Sequence, residues 1–123
     1  MKIKRFEDIE AWQLALRAVI DVLAFINYGL KRQIQDSAGS SMHNIAEGFE
    51  SETNGEFIRF LRYSKRSCSE VQRELYIAVE EEYISHGEFK DVFKQARRTR
   101  AAVRGFINYL KKYGGCKATN REP

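Results

Sequence analysis

The sequence is poor in residues that bend, cross-link or catalyse: among 123 residues there are 1 proline, 2 cysteines and 2 histidines. With 8 glycines beside that one proline, the chain has too few turn formers for a many-stranded β fold. Cys68 and Cys116 make neither a disulfide framework nor a metal spacing, which suits reduced thiols in a cytoplasm. No stretch reaches the roughly 20 uninterrupted apolar residues of a membrane span. The most apolar one, Leu14 to Ile26, is broken by Arg17 and Asp21. The same charges spoil the apolar region of a signal peptide, although Lys2, Lys4 and Arg5 would serve as its basic flank, so a cytoplasmic chain is expected. Catalytic groups are equally scarce. Neither His43 nor His86 has a carboxylate or thiol at helical spacing in a shared pocket, and the Glu-x-x-His string of bundle metal sites is absent. No enzyme, no cofactor and no metal are expected.

What the chain does have is periodicity. At 43% hydrophobic and 31% charged it is too apolar for a disordered polymer, and its apolar residues recur at helical steps. Residues 8–27 carry Ile9, Trp12, Leu16, Val19, Leu23 and Ile26 at alternating steps of three and four. This heptad seam predicts that Trp12 is buried against the other helices, so that Trp12→Ala would cost about 3 to 5 kcal/mol. Asn27, Tyr28 and Gly29 end the helix. Residues 30–48, with Phe49 just beyond, have a weaker stripe of Leu30, Ile34, Ala38 and Ile45. A run of small residues from Ser37 to Ser41, Gly39 among them, lowers helix propensity there but lets another backbone come close. Thr53 or Asn54 caps a third helix over 54–84, whose seam runs Phe57, Leu61, Ser64, Cys68, Val71, Leu75, Ala78 and Glu82. Glu82 is out of place on that seam and suggests a subunit interface. Ser85 and Glu88 form a capping box for a fourth helix over 86–113, with Phe89, Val92, Ala96, Thr99, Val103, Phe106, Leu110 and Tyr113 as its seam. Gly114-Gly115 stops it, and 116–123 is a polar, frayed tail. Short connections make these helices antiparallel neighbours. The expected architecture is all-α, an up-down four-helix bundle in one domain over 1–123.

Charge is distributed unevenly. Between Lys90 and Lys112 the fourth helix carries Lys90, Lys94, Arg97, Arg98, Arg100, Arg104, Lys111 and Lys112 against Asp91 alone, spread over the face opposite its seam. On the third helix Arg59, Arg62, Arg66 and Arg73 fall within about 60° of one another. Such faces suit a polyanion, and Tyr63 and Tyr76 lie near enough to stack on unpaired bases. Salt bridges to acidic residues of a neighbouring subunit are the other reading of the same charges. Asn44 and Glu47, three residues apart, point toward the third helix, where backbone groups, Arg59 or Tyr63 would hold them.

Phe6-Glu7-Asp8-Ile9 leading to Trp12, then Gln33-Ile34, Asn44-Ile45-Ala46-Glu47-Gly48-Phe49, Glu56-Phe57-Ile58-Arg59-Phe60-Leu61, and Ser67 with Glu70 form a specific combination. Over residues 6 to 113 it resembles the bacterial four-helix bundle family of 23S rRNA intervening-sequence proteins. The family usually has glycine before the Tyr-Ile that ends its third helix, where this chain has Glu82 before Tyr83-Ile84. The resemblance implies a small up-down bundle with Trp12, Asn44, Glu47 and Gly48 as structural positions. Relatives include accessory variability proteins of diversity-generating retroelements, which are basic pentamers; this implies a basic homo-oligomer that meets nucleic acid and a reverse transcriptase. The combined expectation is a cytoplasmic, non-enzymatic homo-oligomer binding nucleic acid, RNA above all, through Arg59, Arg62, Arg66, Arg73, Lys90, Lys94, Arg97, Arg98, Arg100 and Arg104. The alternative is a scaffold for a partner protein.

Overall fold

A 3₁₀ turn at Phe6–Asp8 leads into helices α1 (Glu10–Leu23), α2 (Lys31–Glu50), α3 (Asn54–Glu80) and α4 (His86–Tyr113). The structure, a computed structural model, describes the backbone at residues 3–23 and 31–113 and the side chains at 3–18 and 31–113. The turn expected at 27–29, the stop at Gly114-Gly115, the tail and Cys116 lie outside the described residues, as do Ile26 and the side chains of Val19 and Leu23. Each helix packs chiefly on its two neighbours in the order α1, α2, α3, α4 and back to α1, which is the expected all-α bundle.

Hydroxyl caps start both long helices. Of the two candidates at α3 it is Thr53 that caps, its Oγ1 accepting from the Glu56 N–H at 3.1 Å. At α4 the Glu88 N–H donates to Ser85 Oγ at 3.0 Å and the Ser85 N–H donates to Glu88 Oε1 at 2.8 Å, completing the capping box.

α3 stops at Glu80, four residues before the expected boundary, and the reason is backbone rather than pattern. The Tyr83 N–H donates to the Ala78 carbonyl at 2.8 Å and the Glu82 N–H to the Val79 carbonyl at 3.1 Å, the paired bonds of a Schellman motif. Glu82 occupies the left-handed position, with φ 59. Its side chain is exposed and the residue belongs to the cap, which corrects its expected place on the helical seam. Tyr83 and Ile84 then turn back onto the core.

The core forms two apolar clusters along the bundle axis. One gathers Ile9, Ile45, Phe49, Phe57, Leu61, Phe106 and Leu110, with Phe57 edge-on to Phe49 at 6.3 Å and to Phe106 at 5.2 Å between ring centres. The other gathers Ile34, Leu75, Val71, Ile84 and Val92. Between them lies a waist of small side chains, Ala15, Ala18, Ala38, Ser41, Cys68 and Thr99, around a small void. Buried hydroxyls there pair with each other, Ser41 Oγ with Ser64 Oγ at 2.9 Å and with Cys68 Sγ at 3.3 Å. Burial pushes the Cys68 thiol up, partly offset by the Ser41 bond and the charge of Arg100, so it behaves as a small hydrophobe.

The waist also changes α1. Its buried stripe is Ile9, Ala11, Ala15 and Ala18, whereas Trp12 and Leu16 are half-buried. The seam read through Trp12 is therefore displaced around the helix. Alanine lets the α1 backbone approach α2 and α4 closely and leaves the larger side chains at the edge, where Trp12 meets Phe6 edge-on at 5.3 Å. From that edge Trp12 packs against the first apolar cluster.

A non-glycine residue held at positive φ costs free energy that glycine does not pay. Glu82→Gly should stabilise the protein by about 1 kcal/mol and raise Tm by a few degrees, about 3 to 5 °C. Glu82→Ala, which keeps the Cβ, should change Tm little; thermal unfolding followed by circular dichroism checks both.

Candidate nucleic-acid interface

Because the seams of α3 and α4 face inward, the intervening Lys and Arg positions must face outward. Arg59, Arg62, Arg66, Arg73, Lys90, Lys94, Arg97, Arg98, Arg100 and Arg104 are all exposed. An ion pair lies elsewhere, between Arg5 and Glu7 at 3.4 Å.

The ten do not form one surface. Arg97, Arg100 and Arg104 of α4 converge with Lys65 of α3 on a groove floored by Ala101. Lys65 was not among the expected residues. It is half-buried, four residues after Leu61 and three before Cys68, and so stands between the core seam and the groove that it lines. The legible signal was its adjacency to the seam. Arg98 lies about 200° around α4 from Arg100. With Lys94 it continues the ridge of Ala102, which lines an apolar cleft against Ile9 and Ala11. Arg98 is thus excluded from the groove. On α3, Arg59 leans over the Phe60 ring at 5.4 Å and Arg66 over Tyr63 at 5.8 Å. Phe60 faces α2, so these contacts draw the α3 arginines away from α4. Arg59, Arg62, Arg66 and Arg73 remain a separate stripe on the outer side of α3.

The aromatic residues also divide. Tyr63, 37% exposed, stands with Phe60 on the α2 side, whereas Tyr76, 56% exposed, stands with Phe89 and Phe93 at the α3/α4 groove.

The Asn44 to Phe49 motif belongs to the packing of α2 on α3. Asn44 Nδ2 donates to the Ser40 carbonyl at 2.9 Å and to Ser40 Oγ at 3.2 Å, and Ser40 Oγ accepts from Ser67 at 3.1 Å. Backbone and serine therefore hold Asn44, rather than Arg59 or Tyr63. Glu47 is half-buried on the same helix. Farther along, Ser37 donates to Glu74 Oε2 at 3.1 Å. Burial pushes the Glu74 carboxyl above the usual range despite that bond. At Gly48 a Cβ would lie 2.7 Å from Phe57 Cδ1 and 3.0 Å from Phe60 Cβ, so the absence of a side chain here lets α3 side chains pack directly on the α2 backbone. Gly39 plays no such part, since a Cβ there would meet nothing within 4 Å. In the small-residue run from Ser37 to Ser41, the buried members are Ser37, Ala38 and Ser41.

His43 and His86 are both exposed. Among the described residues no three His, Cys, Asp or Glu side chains gather as a metal ion would need, and no helix is long and apolar enough to cross a membrane.

Fold and surface together define an antiparallel four-helix bundle that turns a basic groove outward. The chain belongs to the family of 23S rRNA-intervening sequence proteins, whose model matches residues 7–105. A solved structure from Bacteroides thetaiotaomicron, a protein with unknown function from the S23 ribosomal protein family, has the same fold, with a TM-score of 0.74. The two are 17% identical, and the match covers 80% of this chain and 95% of that one. No curated protein matches the chain.

The two glycines of α2 predict opposite outcomes for one substitution. Gly48→Ala should destabilise by about 1 to 3 kcal/mol, because the added methyl strikes Phe57. Gly39→Ala should stabilise by about 0.5 to 1 kcal/mol through helix propensity. Urea unfolding of both variants reads the sign of each.

Proposed function

We propose that this chain is a non-enzymatic, cytoplasmic homo-oligomer that binds nucleic acid, RNA foremost, through the basic faces of α3 and α4. The convergence of Lys65, Arg97, Arg100 and Arg104 on one groove carries the reading. Four cations from two helices at one place repel one another, and a polyanion relieves that repulsion while releasing its own condensed counterions. Exposed Tyr63, Tyr76, Ile77 and Tyr113 support self-association, since a second copy would cover large side chains that a monomer leaves in water. Light scattering at micromolar concentration should therefore give a multiple of 14.3 kDa, five being the number the family resemblance suggests. A monomer mass would defeat the oligomer.

Phosphate contacts have a quantitative signature. Log affinity should fall linearly with log salt, by about 0.7 per contact on single strands. Charge reversal at Arg97, Arg98, Arg100 and Arg104 should reduce that slope by roughly 2, the share of the three arginines that line the groove, with helicity and mass unchanged. Reversal of Glu50 and Glu52 should leave the slope as it was. Equal affinity and slope in the quadruple variant, or no binding by the parent at about 50 mM salt, would overturn the nucleic-acid reading. Exposed Ile77 favours a second reading, in which the outer face of α3 and α4 docks a partner protein such as a reverse transcriptase. Binding of RNA only when that partner is present would support it.

A further inference from the structure

One helical turn from Arg97, the row of α4 continues to Phe93 and an aromatic cluster shared with α3. Tyr76 stands 5.3 Å from Phe89 and 5.4 Å from Phe93 between ring centres. The ring planes meet at 52° and 71°, so neither neighbour lies flat on Tyr76 and a parallel stacking partner is not already supplied by them. Both neighbours are half-buried and brace the Tyr76 ring, which is itself mostly in water. Phe93, Arg97, Arg100 and Arg104 follow one another at steps of four, three and four along one edge of α4. At 1.5 Å per residue they make a line of about 16 Å, with Lys65 facing it from α3.

We propose that this line is a track for a single strand, with phosphates on Lys65, Arg97, Arg100 and Arg104 and a base stacked on Tyr76. The inference rests on the nucleic-acid reading above and narrows it to unpaired strands. A duplex keeps its bases stacked on one another and offers this groove phosphates alone, leaving Tyr76 without a role. An unpaired base has a free face, and stacking on a braced ring uses it with little loss of side-chain freedom.

The test compares fluorescein-labelled oligouridylate of about 12 nucleotides, a strand with little structure of its own, with an RNA duplex of the same length. Tyr76→Ala and Tyr76→Leu should each weaken single-strand binding about 10-fold, leaving duplex affinity and the salt slope at parental values, while Tyr76→Phe retains both. Lys65→Gln should lower the single-strand salt slope by about 0.7. Unchanged single-strand affinity in Tyr76→Ala, or equal losses on strand and duplex, overturns the track but leaves the nucleic-acid reading standing if the salt slope persists. Failure of the parent to bind either RNA overturns both.

Discussion

Close approach between helix backbones, made possible by small side chains, is the constraint on which the rest of this bundle depends. At the waist, Ala15, Ala18, Ala38, Ser41, Cys68 and Thr99 occupy the positions where larger residues would hold the helices apart. At Gly48 the same demand is sharper, because the Phe57 and Phe60 side chains fill the space that a Cβ would need. The two apolar clusters lie on either side of this waist and supply the burial that drives folding. The waist sets how deeply they interlock, and through that the rotation of each helix about its own axis.

Helix rotation in turn decides the surface. With Leu61, Cys68 and Leu75 turned inward on α3 and Val92, Thr99 and Val103 inward on α4, Lys65 and the Arg97, Arg100 and Arg104 row are brought to opposite lips of one groove. Like charges gathered in this way oppose compactness rather than aid it. Their long apolar stems offset part of that cost by covering the flank of the core. A polyanion bound there would relieve that cost.

The turn between α3 and α4 shows the same trade in the backbone. The two helices, 27 and 28 residues long, are joined by a Schellman cap that needs a left-handed residue, and a glutamate fills it at φ 59. The cap is kept because Tyr83 and Ile84 beyond it pack on the core, so burial outweighs the strain at one residue. That turn brings Phe89 and Phe93 back alongside Tyr76, so the aromatic end of the groove depends on it.

Four helices, the N-terminal cap regions of α3 and α4, the apolar faces of α2, α3 and α4 and the cationic outer faces of α3 and α4 are legible without the fold. These follow from 3.6-residue periodicity and local hydrogen-bond chemistry, which act within one helix and its ends. The family motif was legible for the same reason, as a continuous string. Tertiary structure decided the rest. In α1 the stripes through Trp12 and through Ala15 have similar spacing, and only the width of the waist selects the alanines. Glu82 reads as one more seam position until the Ala78 carbonyl is seen to accept from Tyr83. Lys65 joins the groove and Arg98 leaves it because a groove is made by two helices, and their relative rotation and offset are written in no single helix's periodicity.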